Sequence, residues 1–222
     1  MASRITHLLS IVFVAVAAGG CASATARFYT LDSTATANDA PEAHYAVLVG
    51  PVSVPQSVDR PQFVVQVAPN RVDFDEFNRW AAPLNDGIAR AVAGDLAVLL
   101  GTPDVATAPA ANLNPAYRVA IDVQRFESVP GEAVLVDAAW AVRKTAGGEA
   151  RSGRTVARET VQGKGFDALA AAHSRALAKL SGDIAVAIRA AADTDSRGPQ
   201  TQHSKPEPRK KSKAAPQKEH SD

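Results

Sequence analysis

A single cysteine, Cys21, stands at the end of a short apolar run, and this constrains the chain more than any other feature. Arg4 supplies an early positive charge, residues 8–18 are apolar apart from Ser10, and Gly19 and Gly20 precede the thiol. A cationic start, a short apolar stretch and small residues before a break are the plan of a secretory signal peptide. The run is too short to cross a bilayer, which takes about 20 apolar residues. Export leads to a compartment where disulfides form, yet one thiol cannot make an internal bridge. The exported fold must therefore rest on a hydrophobic core.

An odd cysteine in an exported chain asks for an explanation. A cysteine directly after small residues resembles the lipobox of a bacterial lipoprotein, in which the thiol is acylated and becomes the new N-terminus. Ala18 stands where leucine is commoner, three positions before Cys21. The alternative is an ordinary secreted protein with a stray thiol, cleaved after 22–24 (Ala-Ser-Ala). Acylation would give an anchor stronger than a single chain, since each buried methylene adds about 0.8 kcal/mol. Ala22 follows the cysteine; an Asp there would favour the inner membrane, so its absence points to the outer membrane, facing the periplasm.

The expected organisation is a signal peptide at 1–20, a lipidated linker at 21–25, one domain at 26–192 and a tail at 193–222. The tail has no aromatic residue, valine, leucine or isoleucine, and carries Pro199, Pro206, Pro208 and Pro216. Such a segment buries too little to offset chain entropy, so disorder is expected. Its Lys205, Arg209, Lys210, Lys211 and Lys213 would suit anionic headgroups or wall polymers, or simply a solvated tail. A formal net charge of +1 without a basic stripe speaks against a nucleic-acid partner.

Within the domain, period-2 alternation marks strands near 26–32, 44–54, 62–67, 71–77, 117–124, 133–142 and 153–163. Gly50-Pro51 interrupts the second at an edge, bulge or bend, and Pro69-Asn70 marks a turn. Leu84, Ile88, Val92, Leu96 and Leu99 form the stripe of a first helix, opened by Pro83 in its first turn and ended by Gly101. Phe166, Leu169, His173, Leu177, Leu180, Ile184 and Ile188 form the stripe of a second. Strands, helix, three strands, helix predict an α+β fold, a mostly antiparallel sheet with two helices packed on one face.

No enzymatic constellation assembles from these residues. There is no nucleophile elbow and no phosphate-binding loop. His44 and His173 alone lie in the domain, and His173 on an apolar helix face reads as a packed, hydrogen-bonded core residue. Asp73 and Asp75 share one strand face, which suits a cation or a metal-dependent hydrolase, but equally a solvated edge. The expectation is a protein without catalytic residues, metal or cofactor.

Three segments carry a family resemblance: RFYTLD at 27–32, VGPVSVPQSVDRPQ at 49–62 and NRVDFDEFNRWAAPL at 70–84. In this order behind a lipobox they resemble the PqiC-like lipoproteins, the ABC-type transport auxiliary component family. The resemblance implies a non-catalytic adaptor or tether beside an MCE (mammalian cell entry) domain protein and its inner-membrane subunits, in systems that move lipid or other hydrophobic compounds between membranes. A homo-oligomer fits that setting. A periplasmic carrier holding an acyl chain between sheet and helices is the alternative binding reading. Arg60, Arg79 and Trp80 lie in the most specific motifs and belong to types enriched at interface hot spots, so they are the expected partner-binding residues. Trp80 suits a plug between helix and sheet as well.

Overall fold

The first helix begins and ends where its flanking residues require. The computed structural model describes residues 25–110 and 113–196; Cys21 and the segment from 197 onward lie outside the described residues. Helix α1 spans Leu84–Leu100. Pro83 has φ −48° and ψ 135° and caps it, one position before the first turn. Gly101 closes it in the left-handed region at φ 66°, a conformation that costs glycine nothing. Leu84, Ile88, Val92, Leu96 and Leu100 are buried; Leu100 replaces the expected Leu99, because four-residue steps carry the stripe along one face.

Around α1 run strands β1 (Arg27–Tyr29), β2 (Ala46–Ser53), β3 (Gln62–Ala68), β4 (Arg71–Trp80), β5 (Val105–Ala106), β6 (Pro115–Val129), β7 (Ala133–Lys144) and β8 (Arg151–Thr160). Helix α2, Gly165–Ser196, follows. The fold is α+β, but the single, mostly antiparallel sheet is corrected to two mixed sheets. The larger has the order β5-β2-β6-β7-β8, the smaller β1-β4-β3. β2 runs parallel to both β5 and β6, and β1 parallel to β4. The β6–β7 and β7–β8 pairs and the β3–β4 hairpin are antiparallel. Parallel pairing of β2 with β6 follows from the connection: the chain leaves β2, makes the hairpin and returns through α1, a crossover long enough to restore direction. Gly50-Pro51 is a cis peptide at a shift of register between Val49 and Val52, so the proline sits at a bulge, where no ladder donor is needed.

Both helices lie on one face of the larger sheet, α1 against β2 and β5, α2 against β7 and β8. Val47, Val49, Val119, Val134, Leu96, Leu177 and Ile184 fill the interval and are fully buried. On the opposite face Asp137 accepts from Arg154 through both carboxylate oxygens, at 2.8 and 2.6 Å. These bonds hold its carboxyl below the usual range. α2 continues through 193–196, beyond the expected domain boundary, and there Thr194 Oγ1 accepts from Arg151 at 2.9 Å.

The chain after β1, at 33–35, is a strap across both helices. Asp95 on α1 is fully buried. Its Oδ1 accepts from Ser33 Oγ at 2.8 Å, Thr34 N at 2.8 Å and Ala35 N at 2.9 Å, and its Oδ2 from Ser181 Oγ of α2 at 3.0 Å. The approach is close enough that a Cβ on Gly94 would meet Ser33 Cβ at 2.8 Å. One carboxylate thus ties the chain after β1 to both helices, using donors that would otherwise lack partners.

Candidate functional site

The small sheet carries the expected partner-binding residues. The loop at 55–61 is closed by its own backbone, with Val58 N and Asp59 N donating to Pro55 O at 3.0 and 3.1 Å. Val58 points inward and is buried. Trp80 N donates to Pro61 O at 2.7 Å, which joins the loop to the end of β4. Short proline-framed turns of this kind lose little entropy on binding.

From this loop the Arg60 guanidinium lies over the Phe74 ring, 4.0 Å from its centroid, a cation–π contact. Arg79 is half-buried on β4, between Phe28 of β1 and Gln62 of β3 in the ladder. The Nε of Arg60 and of Arg79 are both shielded from solvent without a hydrogen-bond partner among the described residues. Such an unsatisfied donor costs about 1–3 kcal/mol. Trp80 takes its second reading: it is buried, stacked on Phe63 at 4.2 Å, and so packs the core instead of facing a partner. Alternation along β4 explains the split, since Arg79 and Trp80 must point to opposite faces. The ladder that pairs Tyr29 with Trp80 turns Phe28 out with Arg79; the segment reads as a strand in the sequence, but which of Phe28 and Tyr29 faces out is set by that pairing.

Beside the loop an open cleft of about 390 Å³ separates the hairpin from the second half of β6, with Val58, Val64, Val72, Arg71, Arg125 and Glu127 on its walls. Asp73 and Asp75 lie across from Val65 and Phe63 and so share a face. Asp75 Oδ1 accepts from Phe77 N at 2.9 Å and Asn78 N at 2.8 Å, closing the irregular turn in β4. Burial pushes its carboxyl up, but these hydrogen bonds outweigh it and leave Asp75 below its ordinary value. No cluster of three or more His, Cys, Asp or Glu that would hold a metal occurs among the described residues.

His173 is where the helix stripe puts it, fully buried. Its ring stacks on Phe126 at 3.9 Å with 6° between planes, and Nε2 hydrogen-bonds Ser128 Oγ at 2.8 Å. Nδ1 has no partner. Burial pushes the imidazole down to about 3, so it is neutral at ordinary pH.

In this α+β domain the braced loop at 55–61 brings Arg60 over Phe74 of the hairpin, while Arg79 lies on β4 opposite Gln62. The chain belongs to the ABC-type transport auxiliary lipoprotein component family, whose model matches residues 29–185; the resemblance seen in the three motifs therefore holds. A solved structure of a Xanthomonas campestris protein assigned to family DUF330 is similar, with a TM-score of 0.64 and 22% identity, over 77% of this chain and 99% of that one. A crystal structure of an uncharacterized protein superposes with a TM-score of 0.61 and 21% identity, over 74% of this chain and 99% of that one. At such identities these likenesses establish the fold. No curated protein matches the chain significantly. Family membership makes this a transport auxiliary lipoprotein of the cell envelope, and no helix among the described residues is long and apolar enough to cross a membrane.

Proposed function

We propose that this chain is a non-catalytic lipoprotein, anchored in the outer membrane by acylated Cys21, that serves an MCE-type intermembrane transport system for lipid or other hydrophobic compounds as adaptor or tether. The partner is an MCE-domain protein with its inner-membrane subunits, and a ring or other homo-oligomer would let repeated weak contacts sum by avidity. The observation that carries the docking surface is the pair Arg60 and Arg79. Both are half-buried, Arg60 in the loop before β3 and Arg79 on β4, with an Nε that no acceptor among the described residues satisfies, and Arg60 lies over Phe74. Carboxylates of a partner would meet guanidiniums already oriented, so little rotamer freedom is lost on association.

Two experiments test the reading. Arg60→Glu and Arg79→Glu, each first checked for folding by circular dichroism, should weaken recovery of the MCE-type partner from crosslinked envelopes by about tenfold or more, equivalent to roughly 1.4 kcal/mol. Wild-type recovery by both folded variants would move the interface elsewhere. Separately, a labelled fatty acid should be incorporated by the wild type and not by Cys21→Ser, which should leave the membrane fraction. An unlabelled wild type would refute the anchor.

A further inference from the structure

The small sheet has a second feature that partner docking does not use. Among the described residues, five of the eight exposed large hydrophobic side chains lie on it: Phe28, Val67, Val72, Phe74 and Phe77, with Val98, Val156 and Val186 scattered elsewhere. Phe74 lies beneath Arg60. Phe28 is 64% exposed and Phe77 is 49% exposed. They sit at the end of the sheet where the chain enters it. β1 pairs in parallel with β4, Arg27 opposite Asn78 and Phe28 opposite Arg79. Phe77 precedes Asn78 in the irregular turn of β4 and is exposed at this end of the sheet, next to the Arg27–Asn78 pairing. Two phenyl rings beside arginine side chains form the mixed apolar and cationic edge that suits the headgroup boundary of a bilayer.

The chain before β1 says what covers this edge. Six residues lie between Cys21 and Phe28, so seven Cα-to-Cα steps join the two. Fully extended they span at most about 25 Å, so a chain acylated at Cys21 holds Phe28 within that distance of the membrane. Insertion of two rings holds a free protein only weakly, and tethering strengthens it by making it an intramolecular event with a high effective concentration. We infer that Phe28 and Phe77 form a bilayer-contacting edge that seats the domain on the membrane carrying its anchor, with its orientation set by the rings and not by the linker. This rests on the reading of Cys21 as acylated. It goes beyond docking: it fixes which side of the domain faces the lipid, and because Arg79 pairs with Phe28 in the ladder, a partner at Arg79 would be met beside the bilayer.

The test uses the mature chain from residue 21 with Cys21→Ser, so that neither signal peptide nor acyl anchor contributes, and with Phe28→Trp, Phe77→Trp or Val186→Trp as added reporters, each read against the parent that holds only Trp80 and Trp140. Val186 is an exposed residue of α2 away from the patch. On addition of phosphatidylethanolamine–phosphatidylglycerol vesicles with brominated acyl chains, tryptophan at 28 and 77 should be quenched at least twice as strongly as tryptophan at 186. In vesicle sedimentation, Phe28→Ser with Phe77→Ser should lower the bound fraction about fivefold, with the melting temperature unchanged because both rings are exposed. Equal quenching at all three positions, or none, would overturn the inference. So would self-association that disappears in the double serine variant while vesicle binding is absent, since the edge would then belong to a second copy. Fatty-acid labelling of the wild type is scored separately: a labelled chain whose reporters are not quenched overturns the patch alone, and quenched reporters on an unlabelled chain support the patch and overturn the anchor.

Discussion

Asp95→Ala is expected to lower stability by about 3–4 kcal/mol and the melting temperature by roughly 10 °C, although Asp95 is remote from the proposed docking surface. The carboxylate, carried by α1, accepts four hydrogen bonds from two other parts of the fold, three from the strap at 33–35 and one from Ser181 of α2. Removing it leaves two amides and the Ser33 hydroxyl without their acceptor, while Ser181 Oγ keeps Leu177 O at 2.8 Å. The strap would loosen first, because Ser33 and Thr34 are exposed and water can replace the lost partner there. Asp95→Asn should fall between the two, since its amide oxygen still accepts. Thermal unfolding measures the size of the effect, and hydrogen exchange at the Thr34 and Ala35 amides locates it. Unchanged protection at these two amides in Asp95→Ala would show that the strap does not depend on the carboxylate.

The second large effect is acid sensitivity from His173. Its ordinary value is 6.5, and burial lowers it in the fold to about 3. Below 6.5 the unfolded chain therefore takes up a proton that the folded chain refuses. Stability falls as pH falls across this window, by about 1.4 kcal/mol per pH unit, and the loss ends once pH reaches the folded value. At pH 5 the loss would be about 2 kcal/mol. Carboxylates held low in the fold, such as Asp137 and Glu159, add to it only nearer their own ordinary values. Urea unfolding from pH 7.5 to 5 should give His173→Gln a flatter stability profile than the wild type, whatever its stability at pH 7.5. Parallel profiles would mean that the imidazole accepts its proton inside the fold.

Both predictions turn on polar groups in apolar surroundings, and these were unequally visible beforehand. His173 stands on a stripe of Leu169, Leu177 and Leu180, so its burial follows from helical spacing. Its Ser128 partner, 45 positions away, does not. Asp95 sits beside the apolar positions of α1 and resembles any solvated helix carboxylate; its acceptor role appears only when a strap about 60 residues earlier crosses over it. Arg60 and Arg79 were marked by their motifs, but the stacking of Arg60 on Phe74 and the inward turn of Trp80 depend on how loop and hairpin fold together.

The division has a physical basis. Local patterns specify what a short segment does by itself: the export signal and its cysteine, the bounds of α1 from Pro83 to Gly101, the alternation of β6 and β7, the motifs that mark the family. Each comes from the chemistry of neighbouring residues and the repeat of one element. Period-2 alternation records which side of a strand is apolar and carries no label for its neighbour. The division into two sheets, the parallel pairings of β1 with β4 and of β2 with β6, and the buried bonds of Asp95 were settled by contacts between distant segments. Those contacts take their form when the whole core closes, because each buried donor and strand edge must then find an acceptor wherever the packed chain provides one.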